Sequence, residues 1–476
     1  MNHEGLEESL HMDSSYLRLL DQKDVLCLVD GQHYPPVTKW TIEEIEKIGA
    51  NIAGILFLGG TEKVKNAVEE LGGKGKYKLY IEEEKKGLPL SLLDQALDEV
   101  TPDIVIDLSD EPVVDYGDRF KLASLVISHD VIYYGSDFMF SPPKRHEILN
   151  KPSFSIIGTG KRVGKTAISV SIARIMKENG YDPAIVCMGR GGPPDPVHVD
   201  VSKTELNADT LLNIAKKGEH AASDYWEDAL LAQVPTIGCR RCGGGMTGDP
   251  FSSNVLKGAD MTNDIPQDFV IMEGSGPTFP PVKTDENIVI IGAGQPIRNI
   301  KEYFGEYRLK ISKLAIVTMC EEPMVNEKKL EKIKKGILKI NPDIRLALTI
   351  FRPQPLGDIK GKKVFLTTTA PEKVSKILVD HIEKEHDCKV VGVSNKLSNR
   401  PELKKDLDEG LGEADVLLTE IKAASIDMAA MMASENDVEI VFMHNEAEII
   451  DGNVESIEKE ILSICESILN DRGENI

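Results

Sequence analysis

The run Ser155-Ile156-Ile157-Gly158-Thr159-Gly160-Lys161-Arg162-Val163-Gly164-Lys165-Thr166 constrains the fold more than any other part of the chain. An apolar strand passes directly into a glycine-rich turn and then into Ala167–Met176, a strong helix pattern. A turn of this kind lets successive backbone N–H groups converge on phosphate oxygens, and the helix N-terminus adds the positive end of its dipole. Lys165 is placed to reach the β- and γ-phosphates of a nucleotide, and the Thr166 hydroxyl to ligate Mg²⁺. Gly160, Val163, Gly164 and Ala167 complete the phosphate-contacting segment. The spacing departs from G-x-x-x-x-G-K-[ST], because Gly158 lies one residue too far from Gly164 and Thr159 fills the expected glycine position.

Apolar strand runs alternate with amphipathic helices on both sides of this loop, which predicts an α/β protein with parallel sheets. From Asp24 to about Asn150 the expected strands are Val25–Asp30, Ile52–Leu58, Lys78–Ile81 and Ile104–Asp107. Helices are expected from a start at Thr41–Lys47 and over Leu92–Val100. Pro142-Pro143-Lys144-Arg145 and Lys151-Pro152 read as a linker. The expected organisation is therefore a Rossmann-like N-terminal domain over 1–150 and a large P-loop core over 151–476, with a further boundary near 330–355. Core strands are expected at Ser155–Ile157, Ala184–Met188, Phe269–Met272, Ile288–Ile291 and Leu314–Thr318. Strand and helix continue to alternate through Ile344–Phe351, Lys363–Thr367, Lys389–Val393, Asp415–Thr419 and Glu439–Met443. A C-terminal helix carries an apolar stripe at Ile457, Ile461 and Ile464 that should pack on the core.

A length of 476 residues exceeds what one compact core holds. The net charge of −22 argues against non-specific binding to nucleic acid or anionic membranes. The longest apolar runs are strand-length, far short of a bilayer span. The first residues lack the basic and apolar regions of a secretory signal, so a cytoplasmic enzyme is expected. Seven scattered cysteines imply no disulfide framework. Cys27, Cys187, Cys320 and Cys465 read as small buried hydrophobes. Cys239-x-x-Cys242, without a second pair, is weak support for zinc.

Outside the loop, Val270-Ile271-Met272-Glu273-Gly274-Ser275-Gly276 ends a buried strand in an acidic residue, well placed for Mg²⁺. Arg190 follows the strand Ala184–Met188 and falls where open α/β sheets bind ligands. Cys239-Arg240-Arg241-Cys242-Gly243-Gly244-Gly245 follows Pro235–Gly238, and its glycines form a candidate anion nest. Arg190, Arg240 and Arg241 are thus expected in glycine-rich loops, gripping an anionic substrate with Gly191, Gly243 and Gly244. His220, Asp224 and Asp228, spaced by four beside Tyr225, share a helix face and are candidate metal or substrate contacts. Asp200 and Asp209 are further candidate carboxylates for magnesium. Asp30, His33 and Tyr34 stand at the carboxyl end of the first strand, with a substrate or interface role, and Lys396 is a weak candidate for a nucleotide-base contact.

The departure in the phosphate loop is itself recognisable. Gly158–Thr166 resembles the G-T-x-x-x-V-G-K-T loop of dethiobiotin synthetases, and Val270–Gly276 is similar to that family's V-E-G-A-G strand end. Asp30-Gly31-Gln32-His33-Tyr34-Pro35-Pro36-Val37, Met188-Gly189-Arg190-Gly191-Gly192-Pro193-Pro194 and Thr318-Met319-Cys320-Glu321-Glu322-Pro323 together resemble the cyclic 2,3-diphosphoglycerate synthetases of methanogenic archaea. That resemblance runs over nearly the whole chain. It implies a ligase that phosphorylates 2,3-bisphosphoglycerate with ATP and closes an internal phosphoanhydride, releasing ADP and phosphate. On that reading Lys165, Lys161, Glu273 and Arg190 are the candidate catalytic groups, Thr166 and Glu273 the metal ligands. Arg190, Gly191, Arg240, Arg241, Gly243, Gly244, Asp224 and His33 are the substrate contacts. ATP and Mg²⁺ are the expected cofactors, with a monovalent cation such as K⁺ as a candidate third. The residues do not fix the assembly; a homodimer is the expectation. The competing readings are another dethiobiotin-synthetase-like ligase and a partner-driven nucleotide switch. The switch's signature lysine is answered by Lys161 only one place off the pattern.

Overall fold

A computed structural model of the chain describes residues 18–59, 71, 75–82, 87–203, 206–207, 210–211, 213–214, 223–422 and 424–473. Two compact units emerge. The first comprises 1–143 together with 297–311, and the second 144–296 together with 312–476.

In the first unit, strands β1 (Asp24–Asp30), β2 (Asn51–Gly59), β3 (Leu79–Tyr80), β4 (Ile104–Asp107), β5 (Ile132–Tyr134) and β6 (Met139–Phe140) form one sheet in the order β3-β2-β1-β4-β5-β6. All its pairings are parallel except β5 with β6. This is the Rossmann-like order anticipated from the strand–helix alternation, and its topological switch lies between β1 and β4. Helix α1 (Pro35–Lys47) begins six residues before the capping pattern at Thr41 suggested. Pro35 and Pro36 occupy its first turn, where a missing N–H costs nothing and φ is already helical. Helices α2 (Leu90–Val100) and α3 (Tyr116–Ser128) supply the later crossovers. The segment 297–311 returns to this unit, which the sequence pattern did not reveal. There the Ser124 hydroxyl donates to the Tyr303 carbonyl at 2.8 Å, and Phe120 packs edge-on against Tyr303 and Phe304.

The second unit is built on a 13-stranded mixed sheet. Its P-loop half contains β7 (Ser153–Gly158), β8 (Pro183–Gly189), β9 (Val197–Val199), β10 (Thr236–Cys242), β11 (Ser252–Ser253), β12 (Phe269–Glu273), β13 (Glu286–Gly292) and β14 (Leu314–Thr318). β7, β8 and β12 are buried along their whole length, as expected of parallel strands covered on both faces. Helix α4 (Lys165–Glu178) and α5 (Asp224–Ala232) pack on one face through Ile168, Ile172, Ala229 and Leu230. The C-terminal helix Ile457–Arg472 joins the same cluster through Ile457, Ile461, Ile464 and Ile468, as its apolar stripe required.

The remaining strands extend this sheet: β15 (Arg345–Pro355), β16 (Lys363–Thr367), β17 (Lys389–Ser394), β18 (Val416–Thr419) and β19 (Glu439–Gly452), in the order β14-β15-β19-β18-β16-β17. One strand makes the junction. The first part of β19, Glu439–Phe442, runs parallel to β18, and the rest, Met443–Gly452, runs antiparallel to β15.

His444 lies at that junction and is buried, with its Nε2 3.2 Å from Nη1 of Arg174 on α4. Burial first, and the Arg174 charge second, push its pKa down to about 4. The folded protein therefore holds His444 neutral while the unfolded chain, titrating near 6.5, takes up a proton. Stability contributed above that unfolded value is lost as pH falls from about 6.5 toward 4, by up to about 1.4 kcal/mol per pH unit. Thermal unfolding of the parent should thus decline more steeply across that window than unfolding of His444→Asn. Equal slopes would mean the imidazole is not held neutral.

Candidate active site

β7 delivers its backbone into the loop 159–164, and neighbouring strands hold that loop in place. The Thr159 N–H donates to the Ile290 carbonyl on β13 at 3.1 Å, and its hydroxyl to Oε1 of Gln295 at 2.6 Å. The Thr318 hydroxyl, at the end of β14, donates to the Val163 carbonyl at 2.8 Å. A Cβ on Gly160 would collide with the Gln295 amide. Gly164 has φ of +84° and caps α4, and a Cβ there would lie 2.7 Å from the Phe351 ring. Both conditions demand glycine. The contacts of Gln295, Thr318 and Phe351 with the loop were not foreseen, since only the sheet order β7-β13-β14-β15 and the turn after β13 bring these residues there.

Lys165 and Thr166 form the first turn of α4. Lys165 is buried, and burial lowers its pKa against the opposing pull of Glu273 and Asp224. Gly158 makes room for it, since a Cβ there would sit 3.2 Å from the Lys165 ammonium and 2.9 Å from the Gly276 carbonyl. The Thr166 hydroxyl donates to Oε1 of Glu273 at 3.0 Å. Glu273 ends β12 in register with Ile156 on β7 and Cys187 on β8, so the parallel pairing itself places the carboxylate beside the loop. Burial raises the Glu273 pKa, reinforced by the charge of Asp224. Lys161 is exposed, and Ala167 is half-buried in the helix.

The arginines divide. Both Arg240 and Arg241 lie within β10 rather than in the loop that was expected to follow it. Consecutive strand residues face opposite sides, and only Arg241 turns toward the site. It is buried and donates from Nη2 to the Ser275 carbonyl at 2.8 Å and from Nη1 to the Gly243 carbonyl at 2.8 Å. Arg240 is exposed, with Asp195 within its electrostatic reach. Arg190 is exposed just beyond β8, and its guanidinium converges with that of Arg241 over Gly276. A Cβ on Gly276 would lie 3.4 Å from Arg190 Nη2 and 3.7 Å from Arg241 Nη2. Gly243, at φ +71°, and Gly244, where a Cβ would lie 2.6 Å from the Thr278 hydroxyl, follow Arg241. Gly191 borders open space. The loop lysine and two arginines thus ring Gly276, a cationic recess at the carboxyl ends of parallel strands.

Asp224 opens α5 and is exposed, its carboxylate close to Gly189, whereas Asp228 one turn later is wholly buried. A solvated helix face is thereby excluded for Asp228. The same helix is anchored elsewhere by Tyr225, whose ring fills the space over Gly238, and by Glu227, whose oxygens lie 2.8 and 2.5 Å from the Lys422 ammonium. His220 and Asp209 lie outside the described residues. Asp200 is tied to Lys203 at 2.7 Å, and Lys396 to Glu372 and Glu402, at 2.8 and 3.3 Å. Cys239 is buried and Cys242 exposed, as strand residues three apart must diverge, so the pair is no zinc site. His33, in the first unit, places Nδ1 2.8 Å from both oxygens of buried Asp30, with Tyr34 exposed beside it.

A glycine-rich loop between a buried parallel strand and a helix, with an acidic strand end on its threonine, defines a P-loop enzyme that uses ATP. Three family models match in succession: the N-terminal domain of cyclic 2,3-diphosphoglycerate synthetase over 24–141, its P-loop domain over 153–350 and its C-terminal domain over 355–446. The chain is 45% identical over 461 residues to the cyclic 2,3-diphosphoglycerate synthetase of Methanothermus fervidus, covering 96% of this chain and 99% of that one. It is 44% identical to that of Methanothermobacter thermautotrophicus, covering 94% and 97%. Among solved structures, LpxK from Aquifex aeolicus with ATP aligns at a TM-score of 0.39 and 12% identity, over 69% of this chain and 91% of that one. The chain belongs to the cyclic 2,3-diphosphoglycerate synthetase family and is an ATP-dependent ligase. No described helix is long and apolar enough to cross a membrane.

Gly164→Ala should cost about 1–2 kcal/mol for the left-handed backbone alone, with the Phe351 contact added. The expected result is a lower melting temperature and ATP affinity reduced at least about tenfold in calorimetric titration. Unchanged affinity would show that the loop tolerates another conformation.

Proposed function

We propose that the P-loop recess joins the two phosphates of 2,3-bisphosphoglycerate into the cyclic anhydride. The ATP γ-phosphoryl group passes to an oxygen of one substrate phosphate and ADP leaves. An oxygen of the other substrate phosphate then attacks the inner phosphorus of the resulting linear diphosphate, closing the ring and expelling phosphate. The observation that carries this reading is the convergence of Arg190 and Arg241 on Gly276, next to Lys165. A reaction that presses two phosphates together needs fixed positive charge at the reacting centre, in a setting that excludes water.

Lys165 neutralises the β- and γ-phosphates, and the loop N–H groups orient them. Arg190, Arg241 and the Gly243–Gly244 nest receive the substrate phosphates, with Asp224 and Gly191 at the margin. The position of Arg240 gives its proposed substrate contact no support. Lys161, exposed on the loop, is retained as a second cation over the nucleotide, and His33 as a candidate substrate contact. For magnesium, Thr166 and Glu273 fit: Glu273 accepts from the Thr166 hydroxyl with one oxygen, and its other oxygen is buried with no hydrogen-bond partner among the described residues. Bound there, the ion would offset the charge that gathers on the phosphate oxygens. A monovalent cation such as K⁺, a homodimer and a cytoplasmic location remain parts of the proposal.

Release of ADP from ATP and Mg²⁺ should rise on adding 2,3-bisphosphoglycerate, and phosphorus NMR should show a cyclic diphosphate. Lys165→Ala, Glu273→Gln and Arg190→Ala are each expected to lower turnover by about a hundredfold or more. ATP binding without stimulated ADP release would sink cyclisation and favour another P-loop ligase or a partner-driven switch.

A further inference from the structure

Three side chains meet behind the P-loop threonine. Cys187 on β8 and Glu273 on β12 are direct partners in the parallel register, and Asp228 reaches them from the second turn of α5. All three are buried, and one ligand atom from each lies within 4.8 Å of the others. Neither Asp228 oxygen nor the second Glu273 oxygen meets a separate hydrogen-bond donor among the described residues, and without a cation the two carboxyls can satisfy each other only by sharing a proton, toward which burial first and the Glu273 charge second push Asp228. Two neighbouring carboxylates so enclosed and unsatisfied are costly unless something charged or hydrogen-bonding occupies the space between them.

Ligand oxygens bind divalent cations at about 2.0–2.6 Å and thiolates at about 2.3 Å, so donors around one ion stand up to about 4–5 Å apart. The cluster meets that limit. Magnesium in nucleotide sites usually takes only one or two protein oxygens and relies on the phosphates for the rest. Here the hydroxyl of Thr166 and two carboxylates already make three oxygen donors, and the sulfur adds a donor that magnesium does not favour.

We propose that Cys187, Asp228 and Glu273, with Thr166, form a divalent-cation site that fills without nucleotide, as Mn²⁺ can report through its oxygen donors, and that prefers a sulfur-seeking ion such as Cd²⁺ to Mg²⁺. The inference rests on the reading of Thr166 and Glu273 as metal ligands and extends it to two residues with no role in that reading. When a soft ion binds, the Cys187 thiol gives its proton to solvent and the sulfur becomes a ligand. Cys187 then sets which ion is held, and Asp228 sets whether the ion is held before ATP arrives.

The test uses the full chain, stripped of metal and nucleotide. Mn²⁺ titrated against it and followed by electron paramagnetic resonance should show one tight site, at least tenfold weaker in Asp228→Asn. Cd²⁺ should produce a sulfur-to-cadmium ultraviolet charge-transfer band, absent in Cys187→Ser. That conservative variant tests the site even if Asp228→Asn fails to fold. No Mn²⁺ binding without nucleotide overturns the proposal, as does binding untouched by both substitutions or a cadmium band that survives Cys187→Ser. Metal binding with no cyclic product would instead remove only the activity reading, and a cyclic product with no nucleotide-free metal only this one.

Discussion

The second unit depends on where the parallel register of β8, β12 and β7 puts one carboxylate. Glu273 is carried to the strand end between Ile156 and Cys187, buried under the phosphate loop, with the Thr166 hydroxyl on it. Burial alone would drive that carboxyl toward its neutral form, and Lys165 opposes the drift. A slip of one residue in β12 would turn Glu273 to the other face of the sheet. The all-apolar run Phe269–Met272 therefore does more than fill the core: it fixes the phase in which Glu273 meets the phosphate loop.

The cationic side of the recess is set by different means. Arg241 is held by carbonyls of Ser275 and Gly243, which orient its guanidinium without cancelling its charge and leave Nε without a partner among the described residues. Arg190 has no carboxylate within ion-pair distance among the described residues, and burial first, with the Arg190 charge second, makes the charge of Arg241 harder to hold. Such an arrangement is poor for stability and good for an anion, which relieves both at once.

The strands, their parallel sense and the phosphate loop were legible because buried parallel strands leave uninterrupted apolar runs and the loop has its own spacing. Glu273 was legible too, as an acid closing such a run. The loop placement of Arg240 and Arg241 was wrong because Gly243–Gly245 made the whole stretch look like a loop, while β10 continues to Cys242 through its pairing with β8 and β11. Thr318, Gln295 and Phe351 could not be found from the chain alone. Each acts across a sheet or from a turn distant in sequence, and although Thr318 opens one of the segments that carry the family resemblance, nothing in that segment tells that its hydroxyl meets the loop. Asp228 was seen as one of a helical row, but its burial depended on which face of α5 turned inward, which Tyr225 and Gly238 decide.

The double pairing of β19 has a consequence for how the chain comes together. Joining Ala347 to Gly452 closes a loop of about a hundred residues, an entropic cost met only late in folding. Until then β15 presents an open edge eleven residues long, rich in β-formers. During synthesis that edge waits for β19, made about a hundred residues later, and a strand from a neighbouring chain can take its place. Chains that stop short of β19 should therefore be the sticky ones, since only that strand covers the β15 edge.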